Sequence, residues 1–181
     1  MWRATWTAPN VTATLTLSNV AAGSLNTGTS GAVTSTYNAG TGVWTASGAL
    51  ADVNALLAGV TFTPALNFNS NFTIATSISD GVAPAVTGVK AMTGTPVNDA
   101  PTATNLSAAE TYTEDTALNL IDIVASDVDS ANVTATLTLS NVAAGSLNTG
   151  TSGAVTSTYN AGTGVWTASG ALADVNALLA G

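Results

Sequence analysis

Polar and apolar residues alternate along much of this chain with the two-residue period of a β-strand. In residues 11–17 the apolar side chains fall on one face and three threonines fall on the other, which predicts a half-buried strand. The alternating runs 32–37 and 43–46 flank residues 38–42, which are rich in turn-forming residues and predict a β-hairpin. We expect Trp44, in the second run, to lie in the core.

One segment departs from this alternation. Residues 49–58 space their leucines and valine helically, and Gly59 follows as a good C-terminal stop, so we expect one short helix there. Beyond it, further strands are predicted at residues 60–63, at residues 72–78 and around residues 86–92, separated by a loop at 64–71 and a turn at 79–81. The expected fold class is therefore all-β with a short helix.

The chain contains an internal repeat. Residues 10–59 recur, letter for letter, as residues 132–181, which gives a period of 122 residues. A catalytic domain gains nothing obvious from an adjacent perfect copy, whereas a molecule that provides length, multivalency or assembly gains directly from duplication. The repeat therefore favours a structural function over catalysis, with one short helix in each copy.

A domain boundary is predicted between Pro96 and Pro101, which bracket a short polar segment that suits neither a helix nor a central strand. Residues 10–97 are then the C-terminal part of one repeat, and residues 98–181 are the N-terminal part of the next. Residues 1–9 do not match the stretch that precedes the second copy. We interpret them as a leader, tag or fusion scar outside the repeat.

Composition and charge exclude several function classes. Ten acidic residues face only Arg3 and Lys90, a balance that argues against nucleic-acid binding and against anionic lipid surfaces. The absence of Cys and His argues against zinc, iron and triad chemistry, so we predict that the protein is not an enzyme. No apolar stretch is long enough for membrane insertion. Acidic, threonine-rich, cysteine-free β chains are typical of secreted bacterial surface proteins, and we expect an extracellular location.

Carboxylates concentrate in one part of the chain that contains no Lys or Arg. Seven of the ten lie between residues 99 and 129, namely Asp99, Glu110, Glu114, Asp115, Asp122, Asp127 and Asp129. Calcium takes six to eight hard oxygen ligands and tolerates several carboxylates around one ion. We therefore predict Ca²⁺ as the cofactor, with ligands from Asp99, Glu114, Asp115, Asp127 and Asp129. The alternative is a solvated acidic face that keeps a threonine-rich β protein soluble.

The predicted geometry divides these ligands between two poles of a domain. If residues 102–113 and 117–124 pair as an antiparallel hairpin, its turn carries Glu114 and Asp115 at one pole. Asp99 and the loop at 127–129 then share the opposite pole. In an array, the first pole of one repeat would meet the second pole of the next, so that an ion could join neighbouring domains across the linker.

Several short motifs occur in a characteristic order. They are Asn-Asp-Ala-Pro at 98–101, Glu-Asp-Thr-Ala-Leu at 114–118, the helix-to-strand segment at 51–65 and Ser-Asp-Gly at 79–81. Together they resemble the cadherin-like and VCBS-like tandem repeats of very large bacterial adhesins, including those exported with RTX-type calcium-binding tails. The resemblance covers nearly everything after residue 10. The linker departs from animal cadherins because it lacks their second Asn.

The resemblance implies an immunoglobulin-like (cadherin-like) β-sandwich with calcium at its junctions, bound through Asp99, Glu114, Asp127 and Asp129. It also implies an extender that holds an adhesive tip away from the cell. The expected partners are neighbouring repeats or copies of the chain itself, with any glycan or protein ligand bound elsewhere in the full-length protein. Two alternatives remain: a filament subunit that assembles by strand exchange between chains, and a carbohydrate-binding module using Trp44 and Trp166.

Overall fold

The computed structural model describes residues 10–181, which divide into two compact units. The first unit ends at Val97 and the second runs from Asn98 to Gly181. This division falls inside the segment that Pro96 and Pro101 bracket. The interpretation of residues 1–9 as a leader, tag or scar lies outside the described residues. Both units consist mainly of antiparallel β-strands with one short α-helix each, so the all-β class is confirmed.

The first unit contains nine strands, one α-helix and a 3₁₀ turn at Val20–Ala22. The strands are β1 (Asn10–Leu17), β2 (Gly23–Leu25), β3 (Thr29–Ser30), β4 (Val33–Thr34), β5 (Thr36–Asn38), β6 (Val43–Ala49), β7 (Phe62–Pro64), β8 (Phe72–Ser79) and β9 (Val86–Met92), and the helix is α1 (Leu50–Ala58). Five strands form a sheet in the order β5-β6-β1-β8-β9, and the remaining four form the two-stranded pairs β2-β7 and β3-β4.

The second unit repeats part of this arrangement, with a 3₁₀ turn at Val142–Ala144. Its strands are β10 (Thr102–Ala103), β11 (Ala125–Ser126), β12 (Asn132–Thr138), β13 (Thr151–Ser152), β14 (Val155–Thr156), β15 (Thr158–Asn160) and β16 (Val165–Ala171), and its helix is α2 (Leu172–Leu179). The main sheet has three strands in the order β12-β16-β15, accompanied by the pairs β10-β11 and β13-β14.

The alternating pattern of β1 produces the expected half-buried strand. Ala13, Leu15 and Leu17 are buried, and the intervening threonines are only partly covered. The predicted hairpin forms between β5 and β6, where Tyr37 pairs with Trp44. The Trp44 side chain is completely buried, and its indole N–H donates to a backbone carbonyl. The prediction that Trp44 lies in the core is confirmed.

The predicted helix is also confirmed in both copies. In the first unit it follows β6 directly and ends at Gly59, whose N–H approaches the carbonyls of Leu56 and Leu57. Val53 and Leu56 are buried, so this face packs α1 onto the unit's core. Among residues 10–181 there is no helix with the length and apolar character needed to cross a membrane.

One predicted strand and one predicted hairpin differ from the observed structure. The run at 32–37 is divided between β4 and β5, because the N–H and hydroxyl of the buried Ser35 both bond to Gly28. The long hairpin predicted over 102–113 and 117–124 is wrong in extent, since only β10 and β11 pair. Asn105 adopts a left-handed conformation with φ of 59° and turns the chain immediately after β10. A non-glycine residue in this region interrupts regular pairing.

Candidate functional site

The acidic loop after β11 is shaped by its own carboxylates. Oδ1 of Asp127 accepts the backbone N–H of Asp129 at 2.9 Å and that of Ser130 at 2.6 Å. An aspartate that binds N–H groups two and three residues ahead closes a tight turn, which is a common local use of this side chain. The turn fixes the direction in which residues 127–130 leave the short β10-β11 pair.

The same loop reaches the beginning of the second unit. Oδ2 of Asp129 accepts the backbone N–H of Asp99 at 2.6 Å, and Nδ2 of Asn98 donates to the carbonyl of Asp99. The structure therefore holds the backbone of Asp99 against the loop that carries Asp127 and Asp129, within the second unit. No Lys or Arg occurs between residues 98 and 181, so no cation of the second unit's own sequence neutralises this acidic loop.

The other two predicted ligands lie elsewhere. Glu114 and Asp115 form a turn in which the Thr116 N–H donates to the Thr113 carbonyl and Asp115 has φ of 63°. No hydrogen bond joins them to the Asp129 loop in the described part of the chain. Within residues 10–181 there is also no group of three or more Asp, Glu, His or Cys side chains that could hold a metal ion. Calcium binding therefore stays a prediction.

Glu110 has a role that the sequence analysis missed. Its Oε1 accepts the backbone N–H of Ile121 at 2.7 Å, and Nδ2 of Asn105 donates to the carbonyl of Asp122 at 2.8 Å. These two side chains link the two halves of the irregular segment between β10 and β11, where strand pairing has ended. The sequence shows polar side chains in this segment that can hydrogen-bond to backbone groups. It does not show which backbone groups they bond to, because that depends on where the chain turns.

One carboxylate of the first unit has a clear electrostatic perturbation. Oδ1 of Asp80 accepts the backbone N–H groups of Val82 and Ala83, both at 2.9 Å, in the turn that joins β8 to β9. These two hydrogen bonds stabilise the ionised form and lower the pKa of Asp80 from its usual value. The side chain is fully exposed, so it serves as a local turn-former in the Ser79–Gly81 motif.

The two tryptophans in the repeated blocks are not available for sugar stacking. Trp44 and Trp166 are 0% and 3% exposed, and their indole N–H groups donate to the carbonyls of Asn26 and Asn148 at 3.0 and 2.9 Å. A carbohydrate-binding aromatic must present its ring face to the ligand. These positions therefore give no support to the alternative of a carbohydrate-binding module.

The edge of β12 is a second candidate site. In the first unit β1 lies between β6 and β8, whereas its counterpart β12 pairs with β16 alone in the described residues. Beside this edge lies a groove of about 670 Å³ lined in part by Leu106, Ile123, Leu137 and Leu179. The structure thus leaves an unpaired strand edge next to an apolar surface, an arrangement suited to binding another strand.

Comparison with protein-family models, with curated proteins and with solved structures found no match to this chain.

Proposed function

We propose that this chain is part of a structural extender of a secreted bacterial surface adhesin, built from immunoglobulin-like repeats that calcium stiffens at their junctions. The observation that carries the proposal is the hydrogen bond from the Asp99 backbone N–H to the Asp129 carboxylate, because it holds the acidic loop at the start of a unit, next to the linker. The perfect copy of residues 10–59 supports a role in length or assembly. The resemblance of the linker and turn motifs to adhesin repeats supports the location.

The acidic loop would supply part of a calcium shell. Oδ1 of Asp127 and Oδ2 of Asp129 already accept backbone N–H groups, which leaves the other oxygen of each carboxylate without a hydrogen bond among the described residues. In this proposal those two oxygens and the carboxylate of Asp99 turn towards one cation. Calcium requires six to eight oxygens, more than these residues provide. In this proposal the remaining ligands are water and the turn at Glu114 and Asp115 of a neighbouring repeat.

The test is calorimetric titration of the 181-residue chain with calcium. We expect weak binding, with a dissociation constant of about 10⁻⁴–10⁻³ M as in other extracellular modules, because the shell is incomplete in one chain. Asp129→Asn should weaken it at least several-fold. Asp80→Asn is the matched control, since Asp80 is an exposed turn aspartate of the first unit and should leave binding unchanged. Absence of any calcium-dependent heat or spectral change would refute the calcium part of the proposal.

A complete junction should bind more tightly than this chain. Residues 98–181 followed by residues 60–97 make up one full period, and two such periods in series contain one junction with the carboxylates of both poles. We expect this tandem protein to bind calcium more tightly than the 181-residue chain and to become measurably longer in small-angle X-ray scattering when calcium is added. Equal dimensions with calcium and with EDTA would contradict the extender mechanism.

A further inference from the structure

The backbone of β1 is hydrogen-bonded on both sides. The Leu17 N–H donates to the Gly42 carbonyl at 3.0 Å, on the side of β6, and the next N–H, that of Ser18, donates to the Thr73 carbonyl at 2.9 Å in β8. Backbone N–H groups alternate in direction along a strand. The N–H and C=O groups of Thr14 and the other even-numbered residues of β1 therefore face β8.

The corresponding groups of β12 have no strand to bond within residues 10–181. The Leu139 N–H donates to the Gly164 carbonyl at 3.0 Å, which is the counterpart of the Leu17 bond and fixes the same alternation. Thr134, Thr136 and Thr138 consequently direct their N–H and C=O groups away from β16, towards an edge that no described strand occupies. Such an edge is a template for strand addition.

The side chains next to this edge are also incompletely covered. Leu15 and Leu17 are buried in the first unit, where β8 and its neighbours supply Phe72, Ile74 and other apolar residues to the core. Their counterparts Leu137 and Leu139 remain half-buried. The apolar groove beside β12 therefore lies where apolar side chains of β8 cover the core of the first unit.

We propose that the outer edge of β12 binds the β8-β9 hairpin of a second copy of this chain, in the register that β8 adopts on β1. Ile78 would then lie opposite Ala135, Thr76 opposite Leu137, and Ile74 opposite Leu139, as deduced from the register of the first unit. Sequence identity between the two copies selects this occupant. Residues 132–181 are the same as residues 10–59, on which this hairpin is already seated in the first unit.

Pairing of the hairpin with β12 is favoured over pairing with β1, because only the first completes a repeat. A β8-β9 hairpin that pairs with β1 joins residues 10–59, which have no equivalent of residues 98–131 before them in this chain. A hairpin that pairs with β12 joins residues 98–181, and the two together make up one full period of the repeat. Neither β8 nor β12 contains an ionisable side chain, so no charge opposes their pairing. Donor and acceptor are different surfaces of the chain, so the contact is head-to-tail and generates rings or open chains.

The proposal is independent of calcium, and its main test is a register-specific cross-link. The chain has no native cysteine, so one preparation carries Thr136→Cys and another carries Ser77→Cys. They are unfolded together, refolded as a mixture and oxidised in EDTA. Thr14 pairs with Ser77 in the first unit, so Thr136 and Ser77 of two chains would be directly opposite, within reach of a disulfide. We expect a disulfide-linked dimer as the main product.

The control replaces Ser77→Cys by Thr87→Cys. Thr87 is paired with Ser77 on β9 and would lie one strand farther from Thr136, at about 10 Å, which is too far for a disulfide. We expect little cross-linking with this variant. Equal or preferential cross-linking of Thr87→Cys would show that β9 docks by its own outer edge, and absence of both cross-links would show that β12 stays unpaired. Either result would overturn the proposal.

Light scattering provides a second test on chains without cysteine. The 181-residue chain should have a mass that increases with concentration, with or without EDTA. Thr136→Pro removes an N–H that faces the open edge without removing one bonded to β16, so this variant should keep its fold and lose association. A chain extended after Gly181 by a second copy of residues 60–97 fills the edge itself and should show a single-chain mass. A parent chain that is monomeric up to millimolar concentration, or an extended chain that associates equally well, would refute strand exchange.

Discussion

Residues 10–59 and 132–181 are one sequence placed in two environments. The pairing of β1 with β6 runs from Asn10↔Ala49 to Thr16↔Val43, and the pairing of β12 with β16 runs through the corresponding residues. The 3₁₀ turn, the hairpin and the helix also recur. The block therefore carries within itself the information for its local structure, independent of the neighbouring strands.

Burial distinguishes the two copies. Trp44 and Trp166 are buried alike, whereas Leu17 is 3% exposed and Leu139 is half-buried, and Ala22 is fully buried but Ala144 is exposed. The difference follows from β7 and β8, which pair with β2 and β1 of the first copy. The block therefore forms an inner core around its tryptophan, but it needs the segment at 60–92 to complete an outer core. Stability should differ between the copies accordingly.

The largest expected effect comes from a matched pair of glycines. Gly23 and Gly145 have φ of 151° and 155°, so alanine is strained at either position. At Gly23 an added Cβ would also overlap the carbonyl oxygen of Thr63 in β7, whereas at Gly145 nothing lies within 4 Å. Gly23→Ala should therefore destabilise the first unit by about 1–3 kcal/mol more than Gly145→Ala destabilises the second.

The indole N–H resonances of Trp44 and Trp166 allow each unit to be followed separately in urea by NMR. These resonances can be assigned by Trp→Phe substitution. The protein is kept dilute so that association between chains does not affect the measured stability. Similar losses of unfolding free energy in Gly23→Ala and Gly145→Ala would mean that the contact of Gly23 with β7 contributes nothing to stability.

An intermediate effect is expected at a second matched pair, Asn54 and Asn176. The side chain of Asn176 forms two hydrogen bonds of 2.9 Å with the backbone N–H and carbonyl of Ala125, whereas Asn54 is exposed and has no such partner in residues 10–181. Asn176→Ala should lower the free energy of unfolding of the second unit by about 1–3 kcal/mol, since it leaves partly buried backbone groups unpaired. Asn54→Ala should change the first unit far less, and equal losses would contradict this assignment.

The sequence predicts this fold best where a segment depends on its own pattern. The alternation in residues 11–17, the turn at 38–42 and the helical spacing before Gly59 all correspond to observed elements. The prediction failed in residues 102–124, where the expected long hairpin is replaced by the short pairing of β10 with β11. There the conformation depends on Asn105 and on Glu110, whose side chains bond to backbone groups across the segment.

The candidate sites were predictable to different extents. The proximity of Asp99 to Asp129 followed from expecting both near the base of one hairpin, and the short β10-β11 pair still provides that base. The sequence also indicated that strands were missing from each unit. It did not identify β12 as the open edge, because that requires knowing that β1 pairs with both β6 and β8, and strand order is not encoded in local alternation.

The smallest expected effect concerns Asp80, whose turn belongs to the hairpin found only in the first unit. Because its folded pKa is lowered, Asp80 contributes stability that is present above the pKa of the unfolded state and is lost as pH falls through the folded pKa. Its exposure keeps this contribution small. NMR titration should show a pKa below that of aspartate in an unstructured peptide. In Asp80→Asn, which keeps an oxygen acceptor without the charge, the urea midpoint reported by Trp44 should depend less on acidic pH, while that of Trp166 should follow the parent. If the urea midpoint reported by Trp44 depended on acidic pH as strongly in Asp80→Asn as in the parent, the turn would contribute nothing to the difference between the copies.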